Sequence, residues 1–528
     1  MYSLTTYQFN KSGLDEIKKL DPFPSVYIIE NSKEIYVGQG VNPASRIQSH
    51  LRSKKVSQPA FVHIISNYDF NVSVALDLES YLIQLIKAEG KRKMVNANEL
   101  GVRHNYYLKN KYQQRFSEIW KQLIQMGIGE KDEEDIRNTQ IYEFSPFKSL
   151  TSDQQYVADE ILSQIKNHTK KVFVVSGDPG TGKTIVANYL LKVLTEQGED
   201  VALVFSMTSI RKTIQEVFKK VLGMNDRVIG PADLRKKKYE ILIVDEAHRL
   251  NRRKNLANYG VFDQLNQHFD LDNDGDQLDW ISKSADIIIL FYDSLQSIKP
   301  SDIPPEKLKK FIENSNAVQL SLENQIRIQG GNEYLELINH ILYKKECLEM
   351  ELSNYQFTIF DSVKEMQDAI IQQNNNYGFS RLIAGYDWEW QSKDGSKDYD
   401  IEINGHHLKW NSKTEGWMNA KDSAREVGSV HTTQAYTLNY AGVIIGPSLS
   451  YDNNREEINV HPELYKDRYG KQGIDEAQIR EFILNIYYVL LTRARLGTYV
   501  YIVDEDLREH FKNKVANIVG RALPPWWP

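Results

Sequence analysis

The feature that most constrains this chain is GDPGTGKT, Gly177 to Thr184, set between VFVVS before it and IVANYLLKVL after it. A β-branched apolar run of strand length leads into a glycine-rich turn, and a helical pattern leads out. That order is what a phosphate-cradling loop requires. Gly177, Gly180 and Gly182 free the backbone to curl, so that its N–H groups converge on an anion at a helix N-terminus. Asp178, Pro179 and Thr181 complete the loop. Lys183 brings a point charge for the β- and γ-phosphates, and Thr184 a hydroxyl suited to Mg²⁺. The expected ligands are ATP and Mg²⁺.

At 528 residues the chain has room for about three domains, taking roughly 150 residues for each. The fold class expected is α/β. The boundaries drawn are 1–105 for a small α+β domain, 106–147 for a linking helix and acidic hinge, and 148–320 and 321–528 for two parallel-sheet domains. A single cysteine, Cys347, excludes an internal disulfide framework and any multi-cysteine zinc site, and fits a reducing cytoplasm. The N-terminus carries no basic-then-apolar signal, and no apolar run reaches the roughly 18 residues of a membrane span. The longest, ADIIILFY, reads as a buried strand. A net charge of −6 does not mark the whole chain as a nucleic-acid binder. Binding would rest on local basic runs: Arg52 to Lys55, Lys91 to Lys93, Arg235 to Lys238, and Arg252 to Lys254.

Along the first domain, SVYIIE and KEIYVGQG read as a hairpin turning at Asn31-Ser32. A helix from Pro43 follows, with Arg46 and His50 at i, i+4. FVHIIS is a further strand, and VALDLESYLIQLIKA an amphipathic helix carrying Glu79. Tyr27, Tyr36-Val37-Gly38, Arg46, Glu79 and Asn96, in that order, resemble the GIY-YIG nucleases over roughly residues 22–100. The resemblance implies that Glu79 holds one divalent metal, while Tyr27, Tyr36 and Arg46 position and activate water against a phosphodiester. The residue types suit that work. A metal on one carboxylate polarises a phosphate, an arginine neutralises it, and Tyr27 can take a proton if its pKa is lowered. Ser25 stands where the family signature begins with glycine.

Phe116, Ile119, Trp120, Leu123 and Ile124 form one stripe of a helix from Tyr106 to about Met126. GIGEKDEEDIRNTQ then reads as a flexible, solvated hinge.

Beyond it, ILIVDEAHR delivers Asp245 and Glu246 at the C-terminal end of a strand, where ligands bind in open α/β sheets. Asp245 suits Mg²⁺, and Glu246 suits orienting and deprotonating water. Several elements resemble superfamily 1 helicases and the Schlafen helicase domains, over about 148–510. Gln154 resembles the adenine-reading glutamine. Arg211 matches a position facing nucleic acid, and Asp293 with Gln296 the γ-phosphate-sensing D-x-x-Q. Arg327 and Arg493 match the two arginines brought to the γ-phosphate. His431, Thr432 and Gln434 match the coupling element, from which Ala435, Thr437 and Asn439 depart. Of Trp388, Trp390 and Trp410, two are expected in the core and one free to stack on bases.

DLDNDGDQLDWI falls short of a calcium loop, because Ile281 occupies the position that needs a bidentate Glu. His406 and His407 are adjacent, hence on opposite strand faces. The Trp526-Trp527 tail is left without a role. The reading is a metal-dependent nuclease joined to an ATP-driven helicase-like motor acting on nucleic acid, DNA ahead of RNA, in repair, restriction or anti-phage defence. The alternative is an ATP-gated clamp or switch carrying an inactive GIY-YIG-like recognition module.

Overall fold

The computed structural model describes residues 2–57, 60–96, 106, 108–137, 139–146, 150–167, 171–222, 224, 226–256, 258–345, 352, 355–394, 397–413, 417–433 and 436–519. Cys347, Gln434, Ala435 and the Trp526-Trp527 tail lie outside them. Two compact units result, one of Met1–Tyr156 with Glu216–Met224, the other of Val157–Gln215 and the chain from 225 onward. Among the described residues no helix is long and apolar enough to cross a membrane.

The first unit is built on strands β1 (Ser3–Gln8), β2 (Ser25–Glu30), β3 (Glu34–Gly40), β4 (Phe61–Ser66) and β5 (Lys93–Met94), in the order β1-β4-β2-β3-β5. β2 is central, antiparallel to both neighbours and buried along its length. The β2–β3 turn forms because Asn31 Oδ1 accepts the N–H groups of Lys33 and Glu34, each at 2.8 Å, the Asx geometry that sets such a turn. The helix Val72–Glu89 covers one face of the sheet, capped by Asn71 and ended by Gly90 in the left-handed region.

The segment expected to be a linker and solvated hinge is instead part of this core. The helix Lys109–Gln125 buries Phe116, Ile119, Trp120 and Leu123 in the same cluster as Leu78 and Leu82, and Ile128 and Ile136 join them. Gly127 and Gly129 read as breakers, yet they make a tight return. A Cβ on Gly129 would stand 2.8 Å from the Trp120 ring, whose Nε1 donates to the Lys131 carbonyl at 3.0 Å. The acidic cluster is engaged too, Glu133 pairing with Arg137 at 2.5 Å.

The second unit holds two parallel sheets. The first comprises β6 (Val172–Gly177), β7 (Val201–Phe205), β8 (Val228–Ile229), β9 (Tyr239–Asp245), β10 (Ala285–Tyr292) and β11 (Val318–Leu322), ordered β11-β6-β10-β9-β7-β8. The second comprises β12 (Gln356–Phe360), β13 (Arg381–Ala384), β16 (Val427–Ser429), β17 (Leu438–Ile445) and β20 (Ala494–Ile502), ordered β12-β20-β17-β13-β16. Two small ribbons, β14 (Ile401–Ile403) with β15 (His406–Leu408) and β18 (Leu449–Asp452) with β19 (Glu457–Val460), are inserted between its strands. The strands of both large sheets are near-continuous apolar runs, as sheets buried on both faces require. The expected α/β class, a small mixed domain followed by two parallel sheets, is what the chain forms.

Trp120→Ala is expected to destabilise the first unit by about 3–5 kcal/mol, read from denaturant unfolding. A loss below about 1 kcal/mol would return residues 109–137 to the role of a linker.

Candidate active sites

Strand register assembles the nucleotide site. β10 pairs with β6 so that Tyr292 lies beside Ser176. The next residues, Asp293 and Gly177, therefore meet at the same sheet edge, and Lys183 Nζ reaches Asp293 Oδ2 at 3.3 Å. Lys183 also donates to the carbonyls of Gly177 at 2.5 Å and Asp178 at 3.1 Å. Gly180 (φ +88°) and Gly182 (φ +86°) hold the left-handed backbone the turn needs, and the helix Lys183–Glu196 starts directly after. Thr184 Oγ1 donates to Asp245 Oδ2 at 2.6 Å, joining the loop to the end of β9.

Asp245 and Glu246 divide sharply in their electrostatics. Burial, then the neighbouring Glu246 carboxylate, push Asp245 above the usual carboxylate range. Burial acts the same way on Glu246, but His248 outweighs it and holds Glu246 below that range. The His248 ring is fully buried, with Nε2 2.8 Å from Glu246 Oε2. Its Nδ1 accepts the Asp293 N–H at 3.3 Å, which fixes the ring with Nε2 beside the Glu246 carboxylate. Glu246 itself sits at φ +53°, a conformation that costs a non-glycine residue energy and recurs at functional sites. Gln296 Nε2 donates to Asp293 Oδ2 at 2.7 Å. The expected sensor pair is thus one network with Lys183.

The segment after β11 lies across the loop. β11 pairs with β6 so that Leu322 stands beside Gly177, and the chain beyond Leu322 must pass over residues 178–182. The Gly180 carbonyl accepts the N–H groups of Ile326 at 3.1 Å and Arg327 at 3.2 Å. Gln325 Nε2 donates to the Pro179 carbonyl, and Gln325 Oε1 accepts Arg327 N–H at 2.8 Å. The same segment reaches the second sheet. Arg327 Nη2 donates to the Thr492 carbonyl at 2.8 Å, and Gln329 N–H to the Arg495 carbonyl at 2.9 Å. Arg493, next to Thr492, is buried. The structure therefore brings Arg327 to the loop and the chain at Arg493 to Arg327. Gln325 was missed by the sequence, since a glutamine five residues before a glycine pair carries no signal of its own.

Two matched positions, Gln154 and Arg211, and the departing Asn439 make bonds to nearby groups of the fold. Gln154 belongs to the first unit, is buried, and its Oε1 accepts the Thr151 N–H at 3.1 Å. Arg211 folds back onto the Phe205 carbonyl at 3.1 Å and the Thr208 hydroxyl at 3.3 Å. Asn439 Nδ2 donates to the Tyr377 carbonyl at 2.7 Å, a bond that an aspartate at this position could not make. Most basic runs are also engaged. Arg92 binds the Ile128 carbonyl at 2.7 Å and Glu30 at 3.4 Å, Lys237 pairs with Asp200 at 2.6 Å, and Arg253 with Asp263 at 2.5 Å.

In the first unit, Tyr27, Tyr36 and His50 form an aromatic group. The Tyr27 and Tyr36 rings stack at 6.1 Å, and His50 lies 4.6 Å from Tyr36. Gly38 makes this possible, because a Cβ there would come within 2.6 Å of the Tyr27 hydroxyl. Asn96 clamps the same strand, taking Val37 N–H at 3.0 Å and giving to Val37 O at 2.6 Å. Arg46 is exposed, Glu79 is half-buried, and both act electrostatically on Tyr27. The expected lowering of the Tyr27 pKa is reversed, since burial and then Tyr36 raise it well above the ordinary phenol. A titratable neighbour of the Tyr27 hydroxyl, 3.0 Å away through its Nε2, is His50. Burial, with Lys55 and Arg46 nearby, lowers its pKa to about 4. Sequence spacing placed His50 beside Arg46 but gave it no role. Lys55, from the first basic run, lies 5.4 Å over the Tyr36 ring.

Because Asp245 has a raised folded pKa, its ionisation costs stability. That cost is absent at pH values below the unfolded carboxylate pKa and complete above the folded one. Asp245→Asn is expected to melt at or above wild type near about pH 8, with the gap closing toward about pH 5, while hydrolysis is lost. A variant that melts lower at the alkaline end would contradict the assignment.

The comparisons with known proteins agree with this division. The model of the Schlafen group 3 DNA/RNA helicase domain matches residues 170–504, and that of the GIY-YIG catalytic domain residues 23–93. The chain is 29% identical over 424 residues to the Saccharomyces cerevisiae uncharacterized protein YPL245W, spanning 68% of this chain and 90% of that one. It is 30% identical over 164 residues to the signal recognition particle receptor FtsY of Metamycoplasma hominis, covering 27% of this chain and 46% of the relative. Among solved structures, the Pif1 helicase of Candida albicans aligns at TM-score 0.31 and 13% identity, covering 70% of this chain and 100% of that one. The Bacteroides Pif1 helicase, solved with ADP-AlF3 and ssDNA, aligns at 0.28 and 13% identity, covering 70% and 98%. Both scores are too low to argue from. The matched span of the first model exceeds half the chain, which therefore belongs to the Schlafen group 3 DNA/RNA helicase domain family, with a GIY-YIG catalytic domain ahead of it.

Proposed function

We propose that this chain is an ATP-dependent nucleic-acid-processing enzyme, coupling a helicase-like motor to a metal-dependent phosphodiester endonuclease, in repair, restriction or anti-phage defence. The observation that carries the motor is the Gln325–Gln329 segment, bonded at one end to the phosphate loop and at the other to the strand that follows Arg493.

In that reading ATP draws Lys183 from the Gly177 and Asp178 carbonyls onto its phosphates. Glu246, kept ionised by His248, orients the attacking water and takes its proton. Arg327 and Arg493 supply positive charge to the departing phosphoryl group, a contribution of about 10³–10⁵ in rate where such arginines act. Arg327 leaves the Thr492 carbonyl to do so, which loosens the tie between the sheets at the moment of hydrolysis. Mg²⁺ suits the hard oxygens of Thr184 and Asp245, 2.6 Å apart, and a divalent ion suits the Glu79 carboxylate; when bound, each neutralises phosphate charge. At the nuclease site Tyr27, held 3.0 Å from His50 Nε2, and Tyr36 position the attacking water against the phosphodiester. Arg46, which makes no ion pair among the described residues, is available to a phosphate.

The second reading, an ATP-gated clamp that hydrolyses without unwinding, draws on Ala435, Thr437 and Asn439, which depart from the coupling element. Labelled single-stranded, duplex and forked DNA and RNA, incubated with and without ATP, separate the readings. Wild type is expected to nick and to displace a strand, Lys183→Ala to lose hydrolysis, and Glu79→Ala to lose nicking alone. Undiminished hydrolysis in the first variant would overturn the motor, and identical nicking in the second the nuclease. Hydrolysis without displacement would establish the clamp.

A further inference from the structure

The second unit contains a cavity of about 490 Å³ that the ATP cleft does not use. Trp388 and Trp390 line it with Tyr386, and Lys299, Lys466 and Arg468 stand around them. We infer that this cavity seats an unpaired nucleotide, its base stacked on Trp388 and Trp390 and its phosphate held by Lys299, Lys466 and Arg468. The inference rests on the nucleic-acid reading above and names where that reading's substrate is gripped.

The turn after β13 aims the aromatic rings. Asp387 is buried and accepts the Tyr487 hydroxyl at 2.5 Å, and Gly446 packs so closely that a Cβ there would meet Asp387 Oδ2 at 2.0 Å. With Asp387 fixed inward, Tyr386 and Trp388 flank it. Tyr386 stacks on Trp410 at 5.5 Å and 26°. Trp410 is the one tryptophan of the three in the core, at 1% exposure, while Trp388 and Trp390 are only half-buried. The sequence had expected two in the core and one free. Both pack partly on the core of the second sheet, and Lys393 Nζ lies 5.2 Å over the Trp390 ring; the indole surface left facing the cavity suits a flat aromatic guest.

The charges select the guest. Lys466 N–H donates to the Tyr386 carbonyl at 2.6 Å, which binds the Lys466–Gly470 turn to the cavity wall. The side chains of Lys466 and Arg468 are exposed and make no ion pair among the described residues, unlike most of the basic runs elsewhere. Of the two acids in the lining, Asp467 is occupied by the Gly470 N–H at 2.9 Å and His431 at 3.4 Å, and Glu389, exposed between the two indoles, accepts Gln391 Nε2 at 3.4 Å. Exposed cations, without an ion pair among the described residues, beside half-buried indoles match a molecule with a π face and a phosphate.

Lys299 connects this wall to the ATP site. Its Nζ lies 3.8 Å from Asp302 Oδ1 and 3.4 Å from Asn251 Oδ1. Asp302 Oδ2 accepts Arg249 Nη1 at 2.9 Å in a pair that is buried on both sides. Arg249 closes the turn that begins at Glu246. A phosphate that draws Lys299 away is therefore felt one ion pair from the residue that handles water.

The test titrates the full chain with dT₁₅, rU₁₅ and heparin, following tryptophan quenching and fluorescence anisotropy, for wild type and three double variants. Trp388→Ala/Trp390→Ala is expected to weaken both oligonucleotides by about 10- to 100-fold and to leave heparin unchanged. Trp388→Phe/Trp390→Phe should recover most of that loss, which guards against misfolding as the cause. Lys466→Glu/Arg468→Glu, both on the surface, should weaken all three ligands and flatten the salt dependence. Equal oligonucleotide binding by wild type and the alanine variant would overturn the cavity while leaving the ATPase reading intact. Loss of heparin in parallel with the oligonucleotides in the alanine variant would reduce the site to bare charge and overturn the stacking. A wild type that binds no nucleic acid would overturn both readings.

Discussion

The second unit depends on one carbonyl. Gly180 O receives the backbone N–H groups of Ile326 and Arg327, so the loop that would hold phosphate is seated by the chain running from one parallel sheet to the next. The left-handed conformation of Gly180 turns that oxygen outward. It also leaves no room for a side chain, since a Cβ would lie 2.2 Å from Gln325 Oε1. The glycine thus answers to two demands, the curl of the loop and the close approach of the segment above it. Everything proposed about coupling follows from that contact. Arg327 and Gln329 continue from it to Thr492 and Arg495, so the loop is joined to the second sheet by a chain of hydrogen bonds.

The helix after β19 adds a second connection. Asn485 Nδ2, on the helix Glu476–Leu491, donates to the Ser297 carbonyl at 3.1 Å, and its Oδ1 accepts the Tyr343 hydroxyl at 2.8 Å. Ser297 follows Gln296 directly, so the turn that bonds Lys183 through Asp293 is held from the second sheet as well. Coupling in physical terms would require these two ties to exchange for a second arrangement when nucleotide binds.

Much of this was legible in the sequence because it is local. GDPGTGKT, ILIVDEAHR and the β2–β3 turn declare themselves through residue type and immediate context, and each forms where the pattern set it. What stayed hidden depends on register or on distant packing. Gln325 matters only because β11 lies beside β6. His248 is an ordinary residue of its motif until β10 delivers the Asp293 N–H to its Nδ1. His50 becomes a partner of the first site only when β2 places the Tyr27 hydroxyl 3.0 Å from its Nε2. The hinge was misread for a related reason. Glycines and acids within fourteen residues resemble solvated chain, but Ile128 and Ile136 are enough to fold the segment back once Trp120 offers a surface. Basic runs mislead in the same way, as Arg92 and Arg253 show, because the carbonyls and carboxylates that consume them lie far off in the chain.

The most direct test is the structure of the full chain with ADP and aluminium fluoride bound in the loop. The account requires the Arg327 guanidinium to have left the Thr492 carbonyl and, with Arg493, to stand within about 3 Å of the fluoride oxygen-mimics. If Arg327 still held Thr492 and Arg493 remained turned from the fluoride, the segment across Gly180 would be a structural strap, and the coupling built on it would fail.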